Sequence, residues 1–131
     1  MPVIAIIGAG PGMGLAIARI FGAQGYKVAL LSRSPAKLEP LVAELADQGI
    51  GAAAFTADVL DRASIASGLT AAKQQFGSID VLEYSPADRG LPLASISQLT
   101  HDNLQVALDF NVHGALAAVE ECGHRLGTRF C

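Results

Sequence analysis

Cysteine is nearly absent from this sequence of 131 residues: there are two, and both fall in the last ten positions. That excludes a small fold stapled by disulfides. Charge is sparse as well, 16% of residues against 51% hydrophobic. Intrinsic disorder requires the opposite balance and is excluded. Nine Lys and Arg face twelve Asp and Glu, for a net charge of -3 and no basic block. No nucleic-acid partner is therefore expected. No apolar run reaches the roughly 18 residues of a membrane span. The first residues, Met1-Pro2-Val3-Ile4-Ala5-Ile6-Ile7-Gly8, carry no basic segment of the kind that opens a secretory signal. These absences, with the reduced-type cysteine usage, predict a cytoplasmic protein. The length fits one domain that buries roughly two-thirds of its unfolded surface.

The hydrophobic residues recur with a beat. Val3–Ile7, Tyr26–Leu31, Ala52–Thr56 and Ile79–Leu82 start about 25 residues apart. That is the length of a strand–helix unit with short loops. None alternates polar with apolar, so each strand is expected to be buried on both faces, as in a parallel sheet covered by helices. Four helices are predicted between and after them. The first runs from Met13 to Gln24, with Ile17, Ile20 and Phe21 inward and Gly25 as its stop. The second opens with Ser34 as cap and Pro35 at the first helical position and ends at Gly49; Pro40 demands a kink or a later start. The third opens at Asp61 and carries Ile65, Leu69, Ala72 and Phe76 on one face. The fourth runs from about Thr100 to Cys122, with Leu104, Leu108, Val112, Ala115, Leu116 and Val119 aligned. A loop over 85–92 precedes it, and 123–131 reads as a tail without periodicity. The fold class expected is α/β: a parallel sheet of about four strands covered by helices, over residues 1–122.

The first strand leads directly into Gly8-Ala9-Gly10-Pro11-Gly12-Met13-Gly14. A glycine-rich turn between strand and helix lets backbone approach a diphosphate, and the helix N-terminus supplies free N–H groups and a positive dipole end. The spacing is G-x-x-x-G-x-G, not the commoner G-x-G-x-x-G. No Gly-Lys-Ser/Thr follows, which excludes a phosphate-loop NTPase. In this setting the motif resembles the short-chain dehydrogenase/reductase family, and the resemblance extends from Val3 to about Val119. Asp58-Val59 after the third strand matches the family's adenine-contacting pair. Asn111-Val112-His113-Gly114 matches its N-V-x-G. The resemblance implies dinucleotide contacts from Gly8, Gly10, Gly12, Met13, Gly14, Ser32, Arg33, Asp58, Val59 and Ser85. It implies a place for Asn111 in the family's proton relay, and a Rossmann-like, doubly wound α/β sheet in strand order 3-2-1-4 with helices on both faces. Asp58 as a loop carboxylate and Asn111 as a locally bonded polar residue are the plainer alternatives.

The end of the second strand reads Leu31-Ser32-Arg33-Ser34, with Lys37 one turn on and no acidic residue. A carboxylate there would accept the ribose hydroxyls of NAD(H), whereas cations suit the 2′-phosphate of NADP(H). NADP(H) is therefore expected over NAD(H). Two departures from the family stand out. Its N-N-A-G after the fourth strand is replaced by Tyr84-Ser85-Pro86-Ala87. Its catalytic Tyr-x-x-x-Lys has no counterpart, since Tyr26 is followed four residues later by Leu30 and Tyr84 by Asp88. A free tyrosine titrates near 10, too high to protonate an alkoxide well without a neighbouring cation. Family members run to roughly twice this length. The expectation is an NADP(H)-binding oxidoreductase-type chain of little or no activity. The alternatives are a non-catalytic interaction module, and a piece of a full-length carbonyl or alcohol oxidoreductase, including one with a shifted reading frame. Cys122, His124, His113 and Cys131 match no tetrahedral zinc spacing, so no metal is expected. The apolar stripe of the fourth helix and an uncovered fourth strand predict a homo-oligomer.

Overall fold

The computed structural model describes residues 1–87 and 95–123. The predicted tail, with His124 and Cys131, and residues 88–92 of the predicted loop lie outside the described residues. Four parallel strands form one sheet in the order β3-β2-β1-β4: β1 Val3–Ile7, β2 Lys27–Ser32, β3 Ala52–Thr56 and β4 Val81–Tyr84. In register, Ile7 lies between Leu31 of β2 and Tyr84 of β4. The fourth strand starts two residues later than its hydrophobicity suggests. Asp80 leads it in, accepting a hydrogen bond from the Val3 amide at 2.8 Å.

Every residue of β1 is buried, and alternation along it separates two cores. Val3, Ala5 and Ile7 pack with Ala29, Leu31, Ile65, Leu69, Phe110 and Ala118 on one face. Ile4 and Ile6 pack with Val28, Leu30, Leu15, Leu41 and Leu45 on the other. In β1 and the centre of β2 neither face meets water, as their unbroken apolar runs require, whereas the edge strands β3 and β4 are only half-buried, contrary to the expectation for every strand.

Helices α1 (Met13–Ala23) and α2 (Glu39–Asp47) cover the second core, while α3 (Arg62–Phe76), α4 (His101–Leu108) and α5 (Gly114–Cys122) lie on the opposite side. Three expectations are corrected. Ile20 does not point inward but is 60% exposed; the inward face of α1 is built on Gly14, Leu15 and Ala18, of which the glycine and the alanine let the helix approach the sheet. Pro35 opens only a short 3-10 turn, Pro35–Lys37, rather than the second helix itself; α2 takes the later start expected from Pro40, which sits in its first turn. There proline costs no hydrogen bond. The long fourth helix is not uniform: α4 and α5 are joined by a π turn, Asp109–His113.

That joined helix buries Phe110, Gly114, Ala117, Ala118 and Cys122. Its predicted apolar stripe faces outward: Leu104, Leu108, Val112, Leu116 and Val119 are 37% to 55% exposed. Lys73 of α3 ties the helix down, its ammonium 2.5 Å from the Glu121 carboxylate, and Arg62 pairs with Glu120. Exposed pairs of this kind add at most about 1 kcal/mol each. Burial pushes the Cys122 thiol up to about 11, which keeps it neutral and a poor nucleophile at neutral pH.

Two features mark the ends of elements sharply. Asp61 accepts from the Ala63 and Ser64 amides at the start of α3. Gly8, with φ 87°, ends β1 in the left-handed region, and a Cβ there would stand 2.4 Å from the Pro86 Cα. Gly10 has open space around its Cα hydrogens. Urea denaturation should therefore rank three variants. Gly8→Ala should lose about 2 kcal/mol or more from strain and contact. Asp61→Ala should lose about 1 kcal/mol. Gly10→Ala should stay within about 0.5 kcal/mol of the parent.

Candidate functional site

The carboxyl ends of β1, β2 and β4 converge, and a cavity of about 320 Å³ opens above them. The turn after β1 is held by main chain: the Gly8 and Ala9 amides donate to the Leu31 carbonyl at 3.0 and 3.2 Å. The Ser85 amide donates to the Ile7 carbonyl at 3.0 Å, which brings Pro86 over Gly8. The loop is thus fixed to both neighbouring strands before any ligand arrives.

From that loop, Gly8 and Gly10 line the cavity. Gly12 caps α1 without a side-chain bond, and the first turn of α1 carries no acidic residue. The opening amides of a helix have no partner within it; here the Leu15 amide donates to the Gly10 carbonyl at 3.1 Å, and no side chain caps the others. Their partial positive charge stands beside the cavity mouth. Met13 projects to solvent, and Gly14 is buried against the Ala9 Cα. These three shape the turn and the helix start without lining the cavity.

The end of β2 supplies the charge. Ser32, Arg33, Ser34 and Lys37 all line the cavity. The Ser32 hydroxyl donates to the Ser34 carbonyl at 3.1 Å and accepts from the Ser34 amide at 3.2 Å. This closes a turn that carries Arg33 to the rim. Among the described residues neither Arg33 nor Lys37 forms an ion pair, and no carboxylate lines the cavity. The rim therefore has net positive charge in reach of an anionic group.

The far wall is apolar: Leu38, Ala57, Val59, Pro86, Ala87 and Phe110. Val59 is where the sequence places it. Asp58 beside it turns its carboxylate to the Leu60 amide at 3.0 Å, an Asx turn, and its own amide donates to the Ser64 hydroxyl at 2.9 Å. Asn111 is exposed, its side-chain amide donating to the Ala107 carbonyl at 2.9 Å. Neither Asp58, Ser85 nor Asn111 is among the cavity's lining residues. Conversely Pro86 and Phe110 were not legible as wall residues. Phe110 carries no polar signal, and it lies within the π turn Asp109–His113.

A larger groove, about 500 Å³, lies between α3 and the α4–α5 rod. It shares Val59 with the first cavity and carries the Arg62–Glu120 and Asp109–His113 pairs. Hydrogen bonds from His113 and then Gln105 hold the Asp109 carboxyl below the usual carboxylate range. Among the described residues no group of His, Cys, Asp and Glu is arranged to hold a metal ion, and no helix is long and apolar enough to cross a membrane.

The arrangement has known counterparts. A family model described as short chain dehydrogenase matches residues 2–127. The oxidoreductase UcpA of Escherichia coli K12 is 36% identical over 109 residues, 83% of this chain and 40% of that protein. A mutant of a Serratia marcescens short-chain dehydrogenase/reductase superposes with a TM-score of 0.84 at 26% identity, covering 94% of this chain and 50% of that one. A variant of actinorhodin polyketide ketoreductase with NADPH gives 0.82 at 26% identity, covering 92% and 46%. The chain spans about half the length of these relatives or less. The four-strand order, the glycine turn and these matches lead to one conclusion: the chain belongs to the short-chain dehydrogenase family.

Proposed function

We propose that this chain binds NADP(H), in preference to NAD(H), in the cavity above β1 and β2. One observation carries the reading: Arg33 and Lys37 stand at the rim without a carboxylate partner or a carboxylate neighbour in the lining. A guanidinium and an ammonium there can neutralise a 2′-phosphate, with Arg33 offering a bidentate face. The amides that open α1 are placed for the diphosphate. Val59 and Phe110 offer apolar surface to the base. Gly10 leaves room for close backbone approach. The ketoreductase neighbour with NADPH agrees with this choice.

The dinucleotide, when bound, supplies hydride to a carbonyl or accepts it from an alcohol. Carbonyl reduction also requires a proton for the nascent alkoxide. No tyrosine in this sequence has a lysine four residues on, and Asn111 is bonded back to its own helix. The reading is therefore an oxidoreductase-type cofactor-binding chain with little or no turnover of its own. Its outward stripe from Leu104 to Val119 offers a second copy a self-complementary helix face, and homo-oligomerisation through it is part of the proposal.

Fluorescence titration tests the cofactor reading. NADPH should bind at least about tenfold more tightly than NADH. Arg33→Ala should cost NADPH about tenfold, the scale of one charge-assisted hydrogen bond, and leave NADH unchanged. Gly10→Ala should weaken both nucleotides without lowering stability. Equal affinities, or no binding at millimolar nucleotide, would overturn the reading. In sedimentation velocity the parent should run larger than a monomer, and Leu116→Lys should shift it towards monomer; a monomeric parent removes the oligomer claim.

A further inference from the structure

The family's polar pair after the fourth strand is replaced here by Tyr84-Ser85, and the structure gives the tyrosine a partner. At the π turn the main-chain ladder slips by one residue. The Gly114 amide, which in an α-helix would serve the Phe110 carbonyl, instead donates to Asp109. A buried carbonyl without a donor is costly. The Tyr84 hydroxyl fills that vacancy, donating to the Phe110 carbonyl at 2.5 Å across 26 residues of sequence.

The surroundings fit this role closely. A Cβ at Gly114 would stand 2.2 Å from the Tyr84 hydroxyl and 2.9 Å from the Val59 carbonyl. Glycine at 114 is thus what admits the phenol to the helix. Tyr84 itself is the last residue of β4, in register with Ile7, one residue before the glycine turn. The hydroxyl therefore connects the strand that ends beneath the cavity with the turn that sends Phe110 into the cavity wall. The same slip sets the phase of the helix after it, turning Ala117 and Ala118 to the core and Leu116 outward.

We propose that Tyr84 is a positioning residue for the nucleotide cavity: its hydroxyl holds the π turn at Asp109–His113, and the turn holds Phe110 as the cavity's apolar wall. The inference rests on the reading of that cavity as the dinucleotide site. Without the hydroxyl, the Phe110 carbonyl recovers its donor only if the ladder steps back to α-helical pairing. That step rotates Phe110 out of the wall by about one residue's turn, roughly 100°.

Tyr84→Phe keeps the ring and removes only the donor. In the nucleotide-free chain, NMR couplings across hydrogen bonds report which carbonyl the Gly114 amide uses. The expected result is Asp109 in the parent and Phe110 in Tyr84→Phe. Affinity for NADPH and for NADH should fall together, by about fivefold to tenfold, because the wall serves both nucleotides. Arg33→Ala, by contrast, should change NADPH alone. A Gly114 amide still paired with Asp109 in Tyr84→Phe overturns the proposal, as does unchanged affinity after the pairing has moved. A parent chain that binds neither nucleotide overturns the cavity reading together with this one, and the two failures are thereby distinguished.

Discussion

The left-handed turn at Gly8 is the constraint on which the rest depends. It lets β1 end abruptly while its amides remain bonded to the Leu31 carbonyl. It also leaves space for Pro86, which any side chain at position 8 would occupy. Three strand ends are thereby brought within one small region, and α1 starts there without a side-chain cap. Positive helix end, cationic rim and apolar wall are consequences of that convergence. Main-chain hydrogen bonds from Gly8 and Ala9 to the Leu31 carbonyl and from Ser85 to the Ile7 carbonyl hold the three strand ends in register.

The opposite face has a different balance. The α4–α5 helix presents small residues to the sheet and large ones to solvent. Small inward residues allow close approach, and salt bridges from α3 help fix the angle. The large outward residues gain nothing from this fold by themselves. The π turn lies between these two requirements. It costs a regular hydrogen bond at Phe110, which the Tyr84 hydroxyl offsets.

Much of this was legible in the sequence. The four parallel strands followed from the unbroken apolar runs and the beat of about 25 residues, and their order from the resemblance that the glycine turn carries. The choice of cations over a carboxylate after β2 was written in Ser32-Arg33-Ser34. What was not legible has a common physical origin. Helical periodicity marks an apolar stripe but not which side of it meets the sheet, so Ile20 was misplaced on α1. Periodicity also assumes an unbroken 3.6-residue turn, and the slip at Asp109–His113 follows from a contact with Tyr84, 26 residues away. Phe110 as a cavity wall depends on that contact and on no local signal.

The central claim is that the rim formed by Arg33 and Lys37 selects a 2′-phosphate. Calorimetry with adenosine 2′,5′-bisphosphate and with adenosine 5′-monophosphate addresses it without involving the nicotinamide end. The account predicts measurable binding of the bisphosphate, weakened by added salt as expected for a solvent-exposed cationic site, and far weaker binding of the monophosphate. Equal binding of the two, or none of the bisphosphate, would contradict it.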